Sequence, residues 1–375
     1  MSGMGARSTF EVSGPTGQPQ LIDTENLVFW VAVVATVYSG FHWIQTIPAE
    51  PLVQALPAIN WAAMIQWALY GGVLLAVIYH HQLFVRRSRV IVTGAVLWGG
   101  IVATWFASKA NAAGQDLLVH RFGIDAGSDW VLAIAATTNE ESLKVLGVIV
   151  LVLLPLTRVR STLDGLFYGM IIGLAFQVFE DYIYTIQNST DLSYVFGYLI
   201  ARGFVSGLFA HAMYTGITGA GIGFFVSRRD LALGVRIAVA VGAFAAAWTV
   251  HLLWDSPLLN DLPGGRFTTI LVKGIPTLAI IVFSLRAARN SERAAWNRFV
   301  EARIDSSLLT SDDVAALQTL RTRRAARSAA ADAGGRRAKE AEHVRQNTLL
   351  RYVQAVAEEG VDSERAQRHR DGLVD

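Results

Sequence analysis

The chain has 375 residues, of which 53% are hydrophobic and only 17% charged, with a mean hydropathy of +0.38. A soluble chain is usually about a quarter charged, so most of this one is too apolar to fold in water. It has no cysteine, which excludes disulfides, thiolate metal sites and a cysteine nucleophile, and its net charge of +2 gives no reason to expect a nucleic-acid partner.

Residues 1–25 are rich in Ser, Gly, Pro and Gln. They lack a basic segment leading into an apolar core and a small-residue cleavage site, so they read as a disordered cytoplasmic leader. Apolar runs then follow at 27–47, 61–85, 90–108, 130–155, 163–184, 192–226, 231–254 and 268–285. Each is near the roughly twenty residues that cross a bilayer. Backbone amides in lipid must be satisfied within the segment, and the runs show no alternation, which predicts helices and not barrel strands. The sixth run is over-long and is expected to tilt, kink or begin with an interfacial turn. Residues 111–122 are expected to form a short surface helix. The fold class is thus an all-α integral membrane protein of about eight transmembrane helices with a C-terminal cytoplasmic helical tail. The expected domains are the leader (1–25), a polytopic membrane domain (26–286) and a basic helical tail (287–375).

Arg86, Arg87 and Arg89 lie in the second loop, Arg158 and Arg160 in the fourth, and Arg228 and Arg229 in the sixth. The odd loops hold only Lys109, Arg121 and Arg266. The excess of positive charge on cytoplasmic loops then puts both termini in the cytoplasm. After the last run, Arg286, Arg289, Arg293, Arg298 and Arg303 alternate with Trp296, Phe299 and Val300. This pattern predicts an amphipathic helix on an anionic inner leaflet. Beyond it, a stretch opening at Ser311 and another over 336–359, separated by Gly334 and Gly335, read as a helical hairpin.

Charge inside the membrane is costly, about 2.5–3.5 kcal/mol per residue on insertion scales, and therefore points to function. The fourth run carries Asn139, Glu140, Glu141 and Lys144 near its middle. Lys144 is within a turn of both acids and can pair with either, which would keep one ionised as a candidate base. An ion pair that only holds helices together is the plainer alternative. The fifth run places Gly165, Gly169, Gly173, Phe176 and Glu180 on one face, so Glu180 faces a neighbouring helix. Asp181 and Tyr184 read as interfacial. The sixth carries His211, Thr215, Gly219 and Gly223 at four-residue spacing, and the seventh carries His251 and Asp255 one turn apart. By itself, either histidine is more often a packing residue than a ligand. With alternating helix directions, however, Glu140, Glu141 and His211 fall about 15–20 Å below the outer surface at 1.5 Å per residue. Glu180 and His251 share that leaflet. Acids and histidines from four helices in one leaflet predict a single polar cavity.

Glu140-Glu141-Ser-Leu-Lys144, Phe176-xxx-Glu180, His211 and His251-xxx-Asp255 together resemble the motif series of the PrsW intramembrane proteases, relatives of the CAAX prenyl endopeptidases. The resemblance covers roughly residues 130–255. It implies a bacterial plasma-membrane endopeptidase that cuts membrane-anchored proteins, an anti-sigma factor being the best-known substrate type. Glu140, Glu141, Lys144, Glu180, His211, His251 and Asp255 are the catalytic residues it implies. Two positions depart from the wider pattern. Asparagine commonly stands where this chain has Asp255, and related endopeptidases have histidine at Glu180. Metal use is open: the chain has no HExxH, and the related prenyl endopeptidases look metal-independent, so no obligatory metal is expected. Zinc or another divalent metal on His211, His251 and Glu180 is the alternative. The rival function is a proton-coupled secondary transporter built on the same Glu, His and Lys residues. It is disfavoured by the lack of an inverted repeat and by the confinement of the polar residues to one leaflet.

Overall fold

The computed structural model describes residues 25–46, 56–81, 89–154, 161–188 and 192–374. The leader, except Glu25, and Arg86, Arg87, Arg158 and Arg160 lie outside these residues, whereas Arg89 is the first residue of a helix. No strand occurs among the described residues. The helices are α1 (Leu27–Thr46), α2 (Leu56–His81), α3 (Arg89–Leu97), α4 (Thr104–Phe122), α5 (Asp129–Leu153), α6 (Thr162–Asn188), α7 (Leu192–Tyr198), α8 (His211–Ser227), α9 (Leu233–Asp255), α10 (Gly265–Arg303), α11 (Ser311–Leu317), α12 (Leu320–Glu359) and α13 (Glu364–Val374).

Six helical segments among the described residues are long and apolar enough to cross a membrane: Leu27–Thr46, Val90–Phe122, Thr162–Gln187, Ser193–Ser227, Leu233–Asp255 and Gly265–Arg303. They present large apolar side chains outward, including Val34, Val37, Phe41, Ile275 and Phe283, a surface that water would not tolerate over such an area. The other two expected spans are also helical, as α2 and α5. Any stretch of α5 long enough to span contains Glu140, Glu141 and Lys144, so composition alone does not mark it as a span. The surface helix expected at 111–122 is instead the end of a continuous 33-residue run, Val90–Phe122, that includes a π-helical turn at Trp98–Ala103. Within this turn the carbonyl of Ile101 accepts a hydrogen bond from the Trp43 indole, at 3.3 Å, besides those from Thr104. The run stops at Gly123, whose φ of 68° lets its N–H turn back to the carbonyls of Leu118 and Val119.

α6 is the centre of the membrane unit: 89% of its most apolar stretch is buried, against 11% in α1. Its main partner is α8, and the sequence explains why. A methyl group on Gly169 would lie 2.1 Å from the carbonyl oxygen of Thr215, and one on Gly173 2.1 Å from that of His211. Only glycine allows the two backbones to come this close. The glycine stripe of the fifth run and the His211–Thr215–Gly219–Gly223 stripe of the sixth therefore mate with each other. The over-long sixth run is broken, as its length predicts. It passes from α7 through a π-helical stretch, Leu199–Ser206, and a 3₁₀ turn, Gly207–Phe209, to an extended residue, Ala210. α8 then starts at His211.

The chain from Arg289 onward belongs to a second compact unit. Here the expected surface-lying helix is corrected. Trp296, Phe299 and Val300 do not face outward. They are buried with Ile304, Leu309, Leu317, Leu349, Tyr352 and Val353 in a core of the tail's own. Thr310 and Asp313 close a capping box at the start of α11. α12 breaks its helical geometry at Gly334 and Gly335, and its arms fold back so that Arg327 and the Arg323 carbonyl both meet Gln346.

Candidate active site

Helices α5, α6, α8 and α9 bring their ionisable residues to one buried place. Lys144 is at the centre, fully enclosed, with its ammonium 2.7 Å from Glu141 Oε1 and 3.6 Å from Glu140 Oε2. It also donates to His211 Nδ1 at 2.9 Å and lies 4.3 Å from the centre of the Phe176 ring. That cation–π contact gives Phe176 a role one turn before Glu180. His251 Nδ1 sits 2.8 Å from Glu141 Oε1, and its Nε2 lies 3.2 Å from Asp255 Oδ2. Glu180 Oε2 accepts from His211 Nε2 at 3.1 Å. All seven residues singled out from the sequence therefore belong to one network.

The network contains free valences. Glu140 Oε1 accepts from Asn111 Nδ2 at 3.2 Å, but Glu140 Oε2 makes no hydrogen bond, and neither does Glu141 Oε2. Glu140 Oε2 is the oxygen on which the cluster converges, 3.8 Å from His211 Nδ1 and 3.9 Å from His251 Nε2. Buried acceptors without a partner are rare in folded proteins and commonly mark a reacting group or a bound species. The two imidazoles meet edge to face, with centroids 5.0 Å apart, and Tyr214 stacks on His251 at 4.8 Å. The rings are thus held from behind while their nitrogens face the acids.

Four contributors were not singled out in the sequence. Arg202 bridges Glu180 and Asp181. Asp181 is therefore buried and paired, where an interfacial position is expected from its place in the run. Lys273 of α10 donates to the Ser256 carbonyl at 2.6 Å and to Asn260 Oδ1 at 2.8 Å. It pins the end of α9 just beyond Asp255. Both cations lie inside apolar runs, a signal that was available. Asn111 and Tyr214 carry no such mark, because a lone amide or phenol in a helix has no distinctive spacing.

Ligand atoms of Glu140, His211 and His251 lie within 4.8 Å of one another, all buried. Glu140 Oε2 makes no hydrogen bond that a metal would have to displace, and this donor set suits a divalent metal. Of the two carboxylates at issue, the one that converges with the histidines is Glu140; Glu180 is held by Arg202 on the far side of His211.

A family model described as PrsW family intramembrane metalloprotease matches residues 87–285, more than half of the chain. The chain belongs to the PrsW family. It is accordingly a multi-pass membrane hydrolase that acts on proteins within the bilayer. No curated protein and no solved structure matches it. The matched segment holds every residue of the network, from Asn111 to Lys273.

Proposed function

We propose that this PrsW protein hydrolyses a peptide bond of a membrane-anchored substrate, such as an anti-sigma factor, in a bacterial plasma membrane. The carrying observation is the pair of buried carboxylate oxygens, Glu140 Oε2 and Glu141 Oε2, left without hydrogen bonds beside Lys144 and two histidines. Glu140 Oε2 takes a proton from water as the water oxygen attacks the scissile carbonyl carbon. The same carboxyl returns that proton to the nitrogen as the carbon–nitrogen bond breaks, leaving an acid and an amine. Lys144, 2.7 Å from Glu141, favours the ionised form of its neighbouring carboxylate. His251 donates to the carbonyl oxygen as negative charge develops on it, while His211 accepts from Lys144 and holds that ammonium beside the acids. Glu180 orients His211, and Asp255 orients His251. A divalent metal held by Glu140, His211 and His251 would supply Lewis-acid polarisation of the carbonyl and a more acidic bound water.

The test uses the purified full-length chain in liposomes with a single-pass substrate, with and without a chelator, followed by zinc add-back. Cleavage in wild type and none in E140Q or E141Q supports the reading. Cleavage that survives exhaustive chelation assigns the chemistry to the carboxylates and histidines alone. Uptake of a solute driven by a proton gradient, with no cleavage, would move the transporter reading to first place. We further place both termini in the cytoplasm, with exposed Arg286 and Arg298 facing anionic lipid headgroups. A cysteine introduced at Gly264 should then react with an impermeant thiol reagent in intact cells.

A further inference from the structure

We propose that Arg202 is a positioning residue for this hydrolysis, setting Glu180 and through it the orientation and tautomer of His211; the inference rests on the protease reading above. Arg202 lies on the π-helical stretch that precedes the break at Ala210. Its Nη2 is 2.5 Å from Glu180 Oε2 and its Nε 2.6 Å from Asp181 Oδ1. One planar guanidinium thus ties together two adjacent carboxylates of α6, a geometry that a point-charge ammonium cannot reproduce. Tyr184 and Tyr198 flank the guanidinium at 4.7 and 5.9 Å. They fix its plane and leave it little freedom to turn away.

The oxygen that Arg202 holds is the one that meets His211. Glu180 Oε2 accepts from both the guanidinium and His211 Nε2. On the other side of the ring, Lys144 has only N–H bonds to give, so His211 Nδ1 must accept. Both neighbours therefore demand one arrangement, with the proton on Nε2 and the lone pair on Nδ1. That lone pair faces the cluster, 3.8 Å from Glu140 Oε2. A Glu180 released from Arg202 is free to rotate, and the imidazole then loses the partner that fixes its proton. Arg202 touches neither Glu140 nor Glu141, and its side chain is 39% exposed. It lies nine residues before His211, on the same broken segment.

The test compares R202Q, R202K, E140Q and E141Q with wild type, all full length, in the liposome assay, measuring kcat and KM separately alongside thermal unfolding. Loss of positioning lowers kcat by about tenfold to a hundredfold and leaves KM nearly unchanged. R202K, which keeps the charge and loses the two-carboxylate fork, recovers part of that loss. A merely structural arginine would lower unfolding temperature without splitting kcat from KM. R202Q at wild-type kcat, with E140Q inactive in the same assay, overturns the role of Arg202 and leaves the protease reading intact. E140Q and E141Q both active would overturn the reading itself. Where R202Q does not fold, folded R202K decides: wild-type kcat refutes positioning by the fork, and a lowered kcat at constant KM supports it.

Discussion

Two arginines meet carboxylates in the two units of this chain, and their surroundings differ. In the tail, Arg345 donates to both oxygens of Asp313, at 2.5 and 2.7 Å. Asp313 also accepts from the backbone and hydroxyl of Thr310, so both its oxygens have partners and the pair is closed. In the membrane unit, Arg202 divides its donors between Glu180 and Asp181, and Glu180 passes the connection on to His211. Asp181 Oδ2, Glu140 Oε2 and Glu141 Oε2 have no hydrogen bond. Each such buried acceptor costs about 1–3 kcal/mol relative to a satisfied one. A fold seeking stability alone would close these valences, as the tail does at Asp313. Leaving them open is what a site does when a reacting molecule supplies the missing partner.

The comparison breaks first at the open acids. Glu→Gln preserves shape and removes the base, so at least one of E140Q and E141Q, with E140Q expected to be the more damaging, should lower turnover by about a hundredfold or more. His211→Ala and His251→Ala should be comparably damaging. Substrate cleavage by folded variants measures this, and near wild-type rates for both glutamine variants would falsify the proposed mechanism. Lys144→Met goes further, since it leaves Glu141 buried without its ammonium. Removing one partner of a buried pair costs about 3–5 kcal/mol, so both activity and unfolding temperature should fall. In contrast, Arg345→Met touches a pair whose arginine is 44% exposed, and should cost about 1 kcal/mol or less with cleavage unchanged.

A smaller effect is expected at the seam between α6 and α8. Gly173→Ala forces a methyl against the His211 carbonyl. Overpacking of this kind costs about 1–3 kcal/mol, and here the relief must displace His211 itself. Cleavage should fall more than unfolding temperature does. Gly72→Ala, where an added methyl meets nothing within 4 Å, is the control.

The sequence made much of this legible because the membrane makes charge conspicuous. Glu140, Glu141, Lys144, Glu180, His211, His251 and Asp255 each stand out in or beside an apolar run, and the glycine stripe marked a face for close helix packing, though not which helix packs on it. The count of spans was harder to read, since the charges that mark α5 as functional also disqualify it by composition. Arg202 and Lys273 were equally visible as charges, but nothing in their spacing tied them to a motif. The tail misled for a definite reason. Alternating arginines and aromatics fit a helix on a lipid surface and a helix on a protein core equally well. The choice depends on apolar partners such as Leu349 and Val353, roughly fifty residues further along.

That correction changes where the tail should be cut. Ending the chain after Asp305 would keep Trp296, Phe299 and Val300 while removing Leu349, Tyr352 and Val353, which cover them. A chain ending at Ala288 removes all of residues 289–375, including both sides of that core. The longer truncate should aggregate or be degraded, and the shorter one should express and cleave substrate. An inactive but folded 1–288 truncate would show that the tail contributes to the reaction.

The weakest expected effect lies at the closed pair and depends on pH. Burial pushes the Asp313 carboxyl up, but hydrogen bonds from Arg345 and Thr310 outweigh it and hold the group below its ordinary value. The unfolded chain therefore takes up this proton first as pH falls from about 5 through the ordinary value near 3.9. Stability rises with pH wherever the unfolded state binds more protons, so the contribution is complete near neutrality and fades on acidification. Asp313→Asn removes the charge in both states. At pH 7 it should lower tail stability by about 1 kcal/mol or less, since Arg345 is partly in solvent. At pH 4 the gap from wild type should narrow. Limited proteolysis of residues 289–375 in the detergent-solubilised full-length protein, at both pH values, measures the gap. Peptide hydrolysis at pH 7 should not respond to D313N at all. A wild-type tail equally resistant at both pH values, with D313N indistinguishable from it, would mean that the pair contributes nothing to stability.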